Sequence, residues 1–232
     1  MGEVLRHEHK YFLQGVQAAQ CEAYIRALLA ADPHNGPDGY TVRSLYFDTH
    51  LERDYFEKMG GYGQRQKLRL RAYGPNAATA QLEIKQKQGQ DQRKRSITIL
   101  RKDAEALARG DYRPLRDYGG ELAKELYARL TAEGYQPRVV VAYRRRAYTL
   151  PTGDLRVTFD RDVRASEANF NLFAEPFFGG PALPPFHTIL EVKYNGVLPS
   201  YVHRALGACG ESETAYSKYC AGRFASLHGA AY

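Results

Sequence analysis

Charged side chains recur at every second position in several short segments of the sequence. Glu8 and Lys10 form one such set, and Lys67, Arg69 and Arg71 form another. Glu83, Lys85 and Lys87 follow, then Tyr143 and Arg145, then Arg156, Thr158 and Asp160, and finally Glu191 and Lys193. In an extended strand, residues two apart share a face. Lys and Arg on such a face would give dense, charge-assisted hydrogen bonds to phosphate oxygens. The carboxylates among them have two open roles. Each taken singly reads most simply as a salt-bridge partner. A subset could instead bind Mg2+ or Mn2+, which prefer oxygen ligands and commonly share coordination with substrate phosphates. Cations with a few carboxylates fit metal-assisted phosphoryl chemistry.

These side chains need strands to position them. Period-two alternation predicts strands over Leu5–Leu13, Tyr40–Asp48, Gln66–Tyr73, Ala80–Gln88, Lys94–Leu100, Arg138–Thr149, Leu155–Arg161 and Thr188–Tyr194. Opposite the charges lie apolar residues: Leu68 and Leu70, Leu82 and Ile84, and Leu155, Val157 and Phe159. Helical patterns fall at Val16–Ala31, Leu51–Met59, Lys102–Arg109, Gly120–Glu133, Pro199–Ala208 and Tyr216–Leu227. The clearest repeats Leu122, Leu126 and Leu130 and stops at Gly134. An ordinary antiparallel sheet also shows a polar face to water. Here, however, the polar positions are mostly Lys, Arg and Glu, and like charges on neighbouring strands cost stability unless neutralised. The helices could cover the outside of a barrel, leaving the charged faces to line a wet, basic channel. The fold class expected is α+β, an antiparallel β-barrel with helices outside, as one domain spanning 1–232.

Composition narrows the partners. The chain has 232 residues, with 33 Lys plus Arg against 26 Asp plus Glu, a formal charge of +7 that points to a polyanion. No stretch of about 18 apolar residues occurs, so no membrane partner is expected. The N-terminus lacks the apolar core of a signal peptide, and the three cysteines, Cys21, Cys209 and Cys220, have no CxxC spacing. Reduced thiols in a cytoplasmic protein are the simplest reading. The 18 tyrosines form no known nucleic-acid platform, so no nucleic-acid partner is expected. His7 and His9 face away from Glu8 and Lys10, which favours packing over metal binding. Arg144 and Arg146 flank Arg145 on the opposite face and read as surface charges. Arg93–Arg95 fits either a channel mouth or a plain basic turn.

Several segments together resemble a known family. They are RHEHKYFL (6–13), SLYFDT (44–49), KLRLRAY (67–73), LEIKQK (82–87), VVVAYRRRAY (139–148), LRVTFDRDVR (155–164), ILEVKYNGVLP (189–199) and YSKY (216–219). In order and over nearly the whole chain, they resemble the VTC domain, the polyphosphate polymerase domain of the triphosphate tunnel metalloenzyme superfamily. The resemblance implies an eight-stranded antiparallel tunnel with charged strand interiors. It implies ATP or another triphosphate and inorganic polyphosphate as partners, and Mn2+ or Mg2+ as cofactor. Lys10, Arg69, Arg71, Lys85, Arg145, Lys193 and Lys218 are the implied catalytic cations. Glu8, Lys67, Glu83, Tyr143, Arg156 and Ser217 are expected around the substrate, and Glu191 on the metal. One departure stands out. The related CYTH-type triphosphatases open with Glu-x-Glu-x-Lys, and Arg6 occupies the first acidic position here. That favours the VTC branch and removes one potential metal ligand. Neither a phosphate-binding SPX domain nor a membrane anchor is recognisable, so the chain reads as the catalytic domain alone.

The activity implied is a phosphotransferase that adds the terminal phosphate of ATP to a polyphosphate chain. Two other readings stay open on the same residues: a tripolyphosphatase or nucleoside triphosphatase, and a module that binds polyphosphate without turnover.

Overall fold

The computed structural model describes residues 6–89, 91–152, 154–207 and 213–228. Cys209, Leu5 and Ala208 lie outside the described residues. The long elements are, in chain order, β1 (Arg6–Leu13), α1 (Gly15–Leu28), β2 (Tyr40–Asp48), α2 (Arg53–Met59), β3 (Gln64–Tyr73), β4 (Thr79–Gln88), β5 (Asp91–Leu100), α3 (Arg101–Ala108), α4 (Glu121–Ala132), β6 (Gln136–Thr149), β7 (Leu155–Ser166), β8 (Thr188–Asn195), α5 (Ser200–Gly207) and α6 (Lys218–His228). A 3-10 turn at Arg113–Asp117 and two-residue strands at Ala30–Ala31 and Gly180–Pro181 complete the set. The register is antiparallel in every described pairing. The α+β class and each expected strand and helix are therefore present, most with shifted ends.

The chain packs as two compact units, and β2, β6 and β7 contribute residues to both. The first unit comprises residues 1–41, 143–163 and 183–216. Its strand order is β1-β8-β7, followed by the C-terminal half of β6. Alternation puts Leu155, Val157, Phe159, Leu190 and Val192 on one face, where they meet Ala18, Cys21, Ile25 and Leu29 of α1 and its C-cap. The predicted helix over this segment carries an apolar stripe because a sheet face needs covering. Helix α5 starts one residue later than expected. The Pro199 carbonyl accepts from Val202 and His203 at 3.0 Å each, which makes Pro199 the residue before the first turn. The strand predicted to end at Arg161 runs on to Ser166. Asp162, in the left-handed region at φ 49°, interrupts the alternation without ending the strand.

The second unit comprises residues 42–142, 164–182 and 217–232. Its order is the N-terminal half of β6, then β2-β3-β4-β5. Leu68, Leu70, Leu82, Ile84 and Ile99 are fully buried against Leu107, Leu115, Leu126 and Leu130 from the helical side. Truncating one of these leucines to Ala would cost about 2–5 kcal/mol. Helix α4 ends before Gly134, whose φ of +65° suits the residue past a helix end. Strand β5 begins at Asp91 rather than Lys94. Gly89, at φ +59°, turns the chain so that Gln88 faces Asp91 and the hairpin extends to its tip. On the apolar side, Arg95 sits in a two-point pair with Glu125 and donates to Gln86 at 2.8 Å. That resolves Arg95 as a structural cation of the helix-covered face.

Candidate functional site

The predicted site residues divide between the units, and each unit gathers its own set. In the first, the strand register puts Glu8 opposite Lys193 and Lys10 opposite Glu191 on β1 and β8. Glu191 lies opposite Thr158, and Lys193 opposite Arg156, on β7. Directly opposed residues point to the same face, so two carboxylates and three cations come together. Lys193 reaches Glu191 at 2.9 Å and Lys10 reaches Glu8 at 3.0 Å. Arg145 from β6 grips Asp160 in a two-point pair of 2.6 and 2.8 Å, and its guanidinium lies 3.7 Å from Glu191. The same guanidinium is 5.3 Å from the centre of the Tyr143 ring. Arg156 is tied to Asp32 at 2.8 Å and to the Tyr40 hydroxyl at 3.1 Å.

Burial sets the electrostatics here. It works against the charge on Arg145, yet Asp160, Tyr143 and Glu191 outweigh it and hold that guanidinium protonated. Burial also lowers Lys193 below the ordinary lysine value, with Glu191 and Glu8 opposing. Glu8 is pushed up by burial and by the Glu191 carboxylate, but Lys10 and Lys193 bring it below its usual value. Both lysines therefore serve as counter-ions to a close pair of glutamates.

The second unit is built differently. Lys67, Lys85 and Lys94 lie opposite one another across β3, β4 and β5. Two residues along, on the same face, Arg69 faces Glu83. Glu83 is 3% exposed and carries three cations: Arg69 at 2.5 Å, Lys94 at 2.5 Å and Arg71 at 3.9 Å. Burial raises the Glu83 carboxyl, but Arg69, Arg71 and Lys94 prevail and hold it down to about 2. Arg71 is itself 8% exposed, and its Nε has no hydrogen-bond partner among the described residues. Lys67 donates to the Ser217 hydroxyl at 2.9 Å and lies 5.9 Å from the centre of the Tyr219 ring. Tyr219 in turn donates to Asp48 at 2.5 Å. Ser217 precedes α6 and Lys218 opens it, half-buried.

Several partners were not singled out from the sequence. Lys94 carried a signal, since Lys94, Ser96 and Thr98 alternate with Arg95 and Ile97. Asp32 and Tyr40 carried none, because their contacts to Arg156 span more than a hundred residues. Tyr219 lay within the YSKY segment but without a role. His7 and His9 stack on Tyr194, with ring centres 4.9 and 5.7 Å away, as packing residues.

A model of the VTC domain matches residues 5–228. The chain belongs to the VTC domain family. Membership accounts for the order of the motif segments along the chain. No curated protein matches it. Among solved structures, a Hippeastrum protein described as a candidate adenylyl cyclase with dominant triphosphatase activity shares the fold. It superimposes with a TM-score of 0.57 at 14% identity, covering 95% of this chain and 96% of that one. A candidate adenylate cyclase from Bacillus halodurans gives 0.55 at 14% identity, covering 94% and 96%.

The family implies a divalent metal, and the residues present admit one. Among the described residues no group of three or more His, Cys, Asp or Glu comes together for a metal. Glu8 and Glu191 nonetheless form an adjacent pair of oxygen donors. Two carboxylates suit Mg2+ or Mn2+, whose remaining positions are filled by water and substrate phosphates. Asp160 is committed to Arg145 and is not a free donor. Among the described residues no helix is long and apolar enough to cross a membrane.

Proposed function

We propose that the protein is a metal-dependent polyphosphate polymerase that transfers the terminal phosphate of ATP to a polyphosphate chain. The observation that carries the reading is the face of β3, β4 and β5. On it Lys67, Lys85 and Lys94 oppose one another, and Arg69, Arg71 and Lys94 pair with the buried carboxylate of Glu83. Opposed like charges are destabilising, so such a face is suited to an anion that neutralises it. The unpartnered Arg71 Nε adds a buried donor that a phosphate oxygen would satisfy. Membership of the VTC domain family and the triphosphatase activity described for the Hippeastrum protein support a triphosphate as the substrate class.

In this reading, Arg69 and Arg71 bind phosphate oxygens as forks, and Lys67 and Lys85 bind them as point charges. Ser217 holds Lys67 in place through its 2.9 Å bond. Glu83 pairs with Arg69, Arg71 and Lys94 and holds them on this face. Glu8 and Glu191 would hold the metal, which would supply positive charge to offset the negative charge developing in transfer. Lys10 and Lys193 stay beside those carboxylates as their counter-ions. Arg145 braces Glu191 while its main charge stays with Asp160. An oxygen of the chain's terminal phosphate forms a bond to the terminal phosphorus of ATP. The bridging bond to the second phosphate breaks, and ADP leaves. The attacking oxygen is already ionised, so the chain needs no strong general base, and catalysis rests on positioning and electrostatics. The setting is cytoplasmic, consistent with Cys21 and Cys220 as buried free thiols.

Purified protein given ATP and Mn2+ should yield ADP and a long polymer on a gel. ADP with free phosphate and no polymer would instead identify a triphosphatase, the reading that the Hippeastrum protein favours. No consumption of nucleotide would overturn both.

A further inference from the structure

The arginines beside Arg145 have a surface of their own. Arg144 and Arg146 lie on the opposite face of β6 from Arg145, and Arg161 extends the same face on β7. With α1 they line a groove of about 410 Å³ inside the first unit. Gly15, Ala19 and Ala23 form its low helical wall, and Arg26 stands on the same helix. The charges are Arg26, Arg144, Arg146 and Arg161 against Glu22 and Asp38.

These charges are arranged unequally. Glu22 is buried and saturated: it accepts from the Tyr148 hydroxyl at 2.8 Å and from Arg161 at 2.7 Å, with Arg146 at 3.7 Å. Arg146 also donates to the Pro37 carbonyl at 2.5 Å and lies 3.7 Å from Asp38. Arg146 and Arg161 are thereby fixed in place. Arg26 and Arg144 are exposed, and neither makes an ion pair with any described residue. The groove thus keeps two unbalanced guanidinium charges on top of two that are pre-oriented.

We infer that this groove is a second binding site for a condensed phosphate chain of three or more units. Guanidinium forks match phosphate oxygens in pairs, and exposed pairs gain from several acting together. The lining contains no aromatic ring on which a nucleobase could stack. Its only apolar side chains are alanines, which offer no anchor for a peptide. What remains is recognition of charge on a thin, linear anion lying along the small-residue wall. The inference rests on the groove alone and holds whether or not the chain turns ATP over.

The test is titration of the full protein with inorganic tripolyphosphate and with long-chain polyphosphate over a range of salt. Wild type is compared with Arg26→Gln/Arg144→Gln and with Arg144→Gln alone. The double variant should weaken long-chain binding by roughly tenfold and lower the salt slope by about 2, with ATP turnover unchanged. The single variant should fall between. Loss for tripolyphosphate as well would identify a short free phosphate chain as the occupant. Loss for the long chain only would identify the polymer. Unchanged affinity and slope for both ligands would overturn the inference. So would an equal loss for a single-stranded oligonucleotide of matched charge. If turnover is absent in wild type but the double variant still loses binding, the proposed activity fails and this site stands.

Discussion

The two units solve the same electrostatic problem in opposite ways. On β1 and β8 of the first, cations and carboxylates alternate across strands, so that Lys10 opposes Glu191 and Glu8 opposes Lys193. Arg145 and Arg156 have their own acids in Asp160 and Asp32. On β3, β4 and β5 of the second, Lys67, Lys85 and Lys94 oppose one another, and one buried carboxylate, Glu83, pairs with Arg69, Arg71 and Lys94. A balanced set is stable as it stands and offers oxygen ligands. A cation-rich set stores repulsion that an anion relieves. On the proposed reading, the first unit is the candidate for the metal and the second the candidate for the phosphates.

Removing the guanidinium from the balanced set should have the largest effect. Arg145→Ala would leave Asp160, which is fully buried, without its two-point partner. Breaking such a pair costs about 3–5 kcal/mol, and denaturant unfolding should show a midpoint well below wild type. Replacing Arg145 and Asp160 together by Met and Leu should recover most of that loss. Glu191→Gln should leave the fold intact and reduce metal-dependent turnover by about a thousandfold, measured as ADP formed. Arg71→Ala should reduce turnover by about a hundredfold, with Arg71→Lys recovering a part, since the fork and not only the charge is used.

Acid should act strongly on the Glu83 cluster. Glu83 is held near 2 in the folded protein, below the ordinary glutamate value of 4.5. Its folded-state value is the lower one, so its contribution to stability is present above about 4.5 and is lost as the pH falls towards 2. Glu83→Gln should therefore lower stability at neutral pH and flatten the stability profile across that window, read by thermal unfolding at stepped pH. The smallest effect is expected at Lys94, whose side chain is half exposed. Lys94→Gln should change stability by under about 1 kcal/mol and turnover by only a few-fold.

The sequence carried the faces but not the pairings. Alternation alone put Lys67, Arg69 and Arg71 on one side of a strand, because side chains alternate with period two. Whether Lys85 meets Lys67 and Lys94 depends on register, and register depends on where the hairpin turns. Glu83 was legible as a charge among cations, but the three cations converging on it come from two neighbouring strands. Asp32 reaches Arg156 from a loop, a contact that no local pattern encodes. Arg93–Arg95 was ambiguous for a related reason. Period two separates Arg95 from Lys94, yet only packing shows that α4 supplies Glu125 to satisfy it. The 3-10 turn at Arg113–Asp117 lacked a periodic signal because it is a single short coil around Pro114.

Calorimetric titration of Mn2+ and of metal-free tripolyphosphate into Glu191→Gln and Arg71→Ala tests the division of labour most directly. The account predicts a crossed result: Glu191→Gln loses Mn2+ affinity and keeps tripolyphosphate, while Arg71→Ala keeps Mn2+ and loses the tripolyphosphate site on β3, β4 and β5. Loss of both ligands by either variant, or of neither by both, would contradict it.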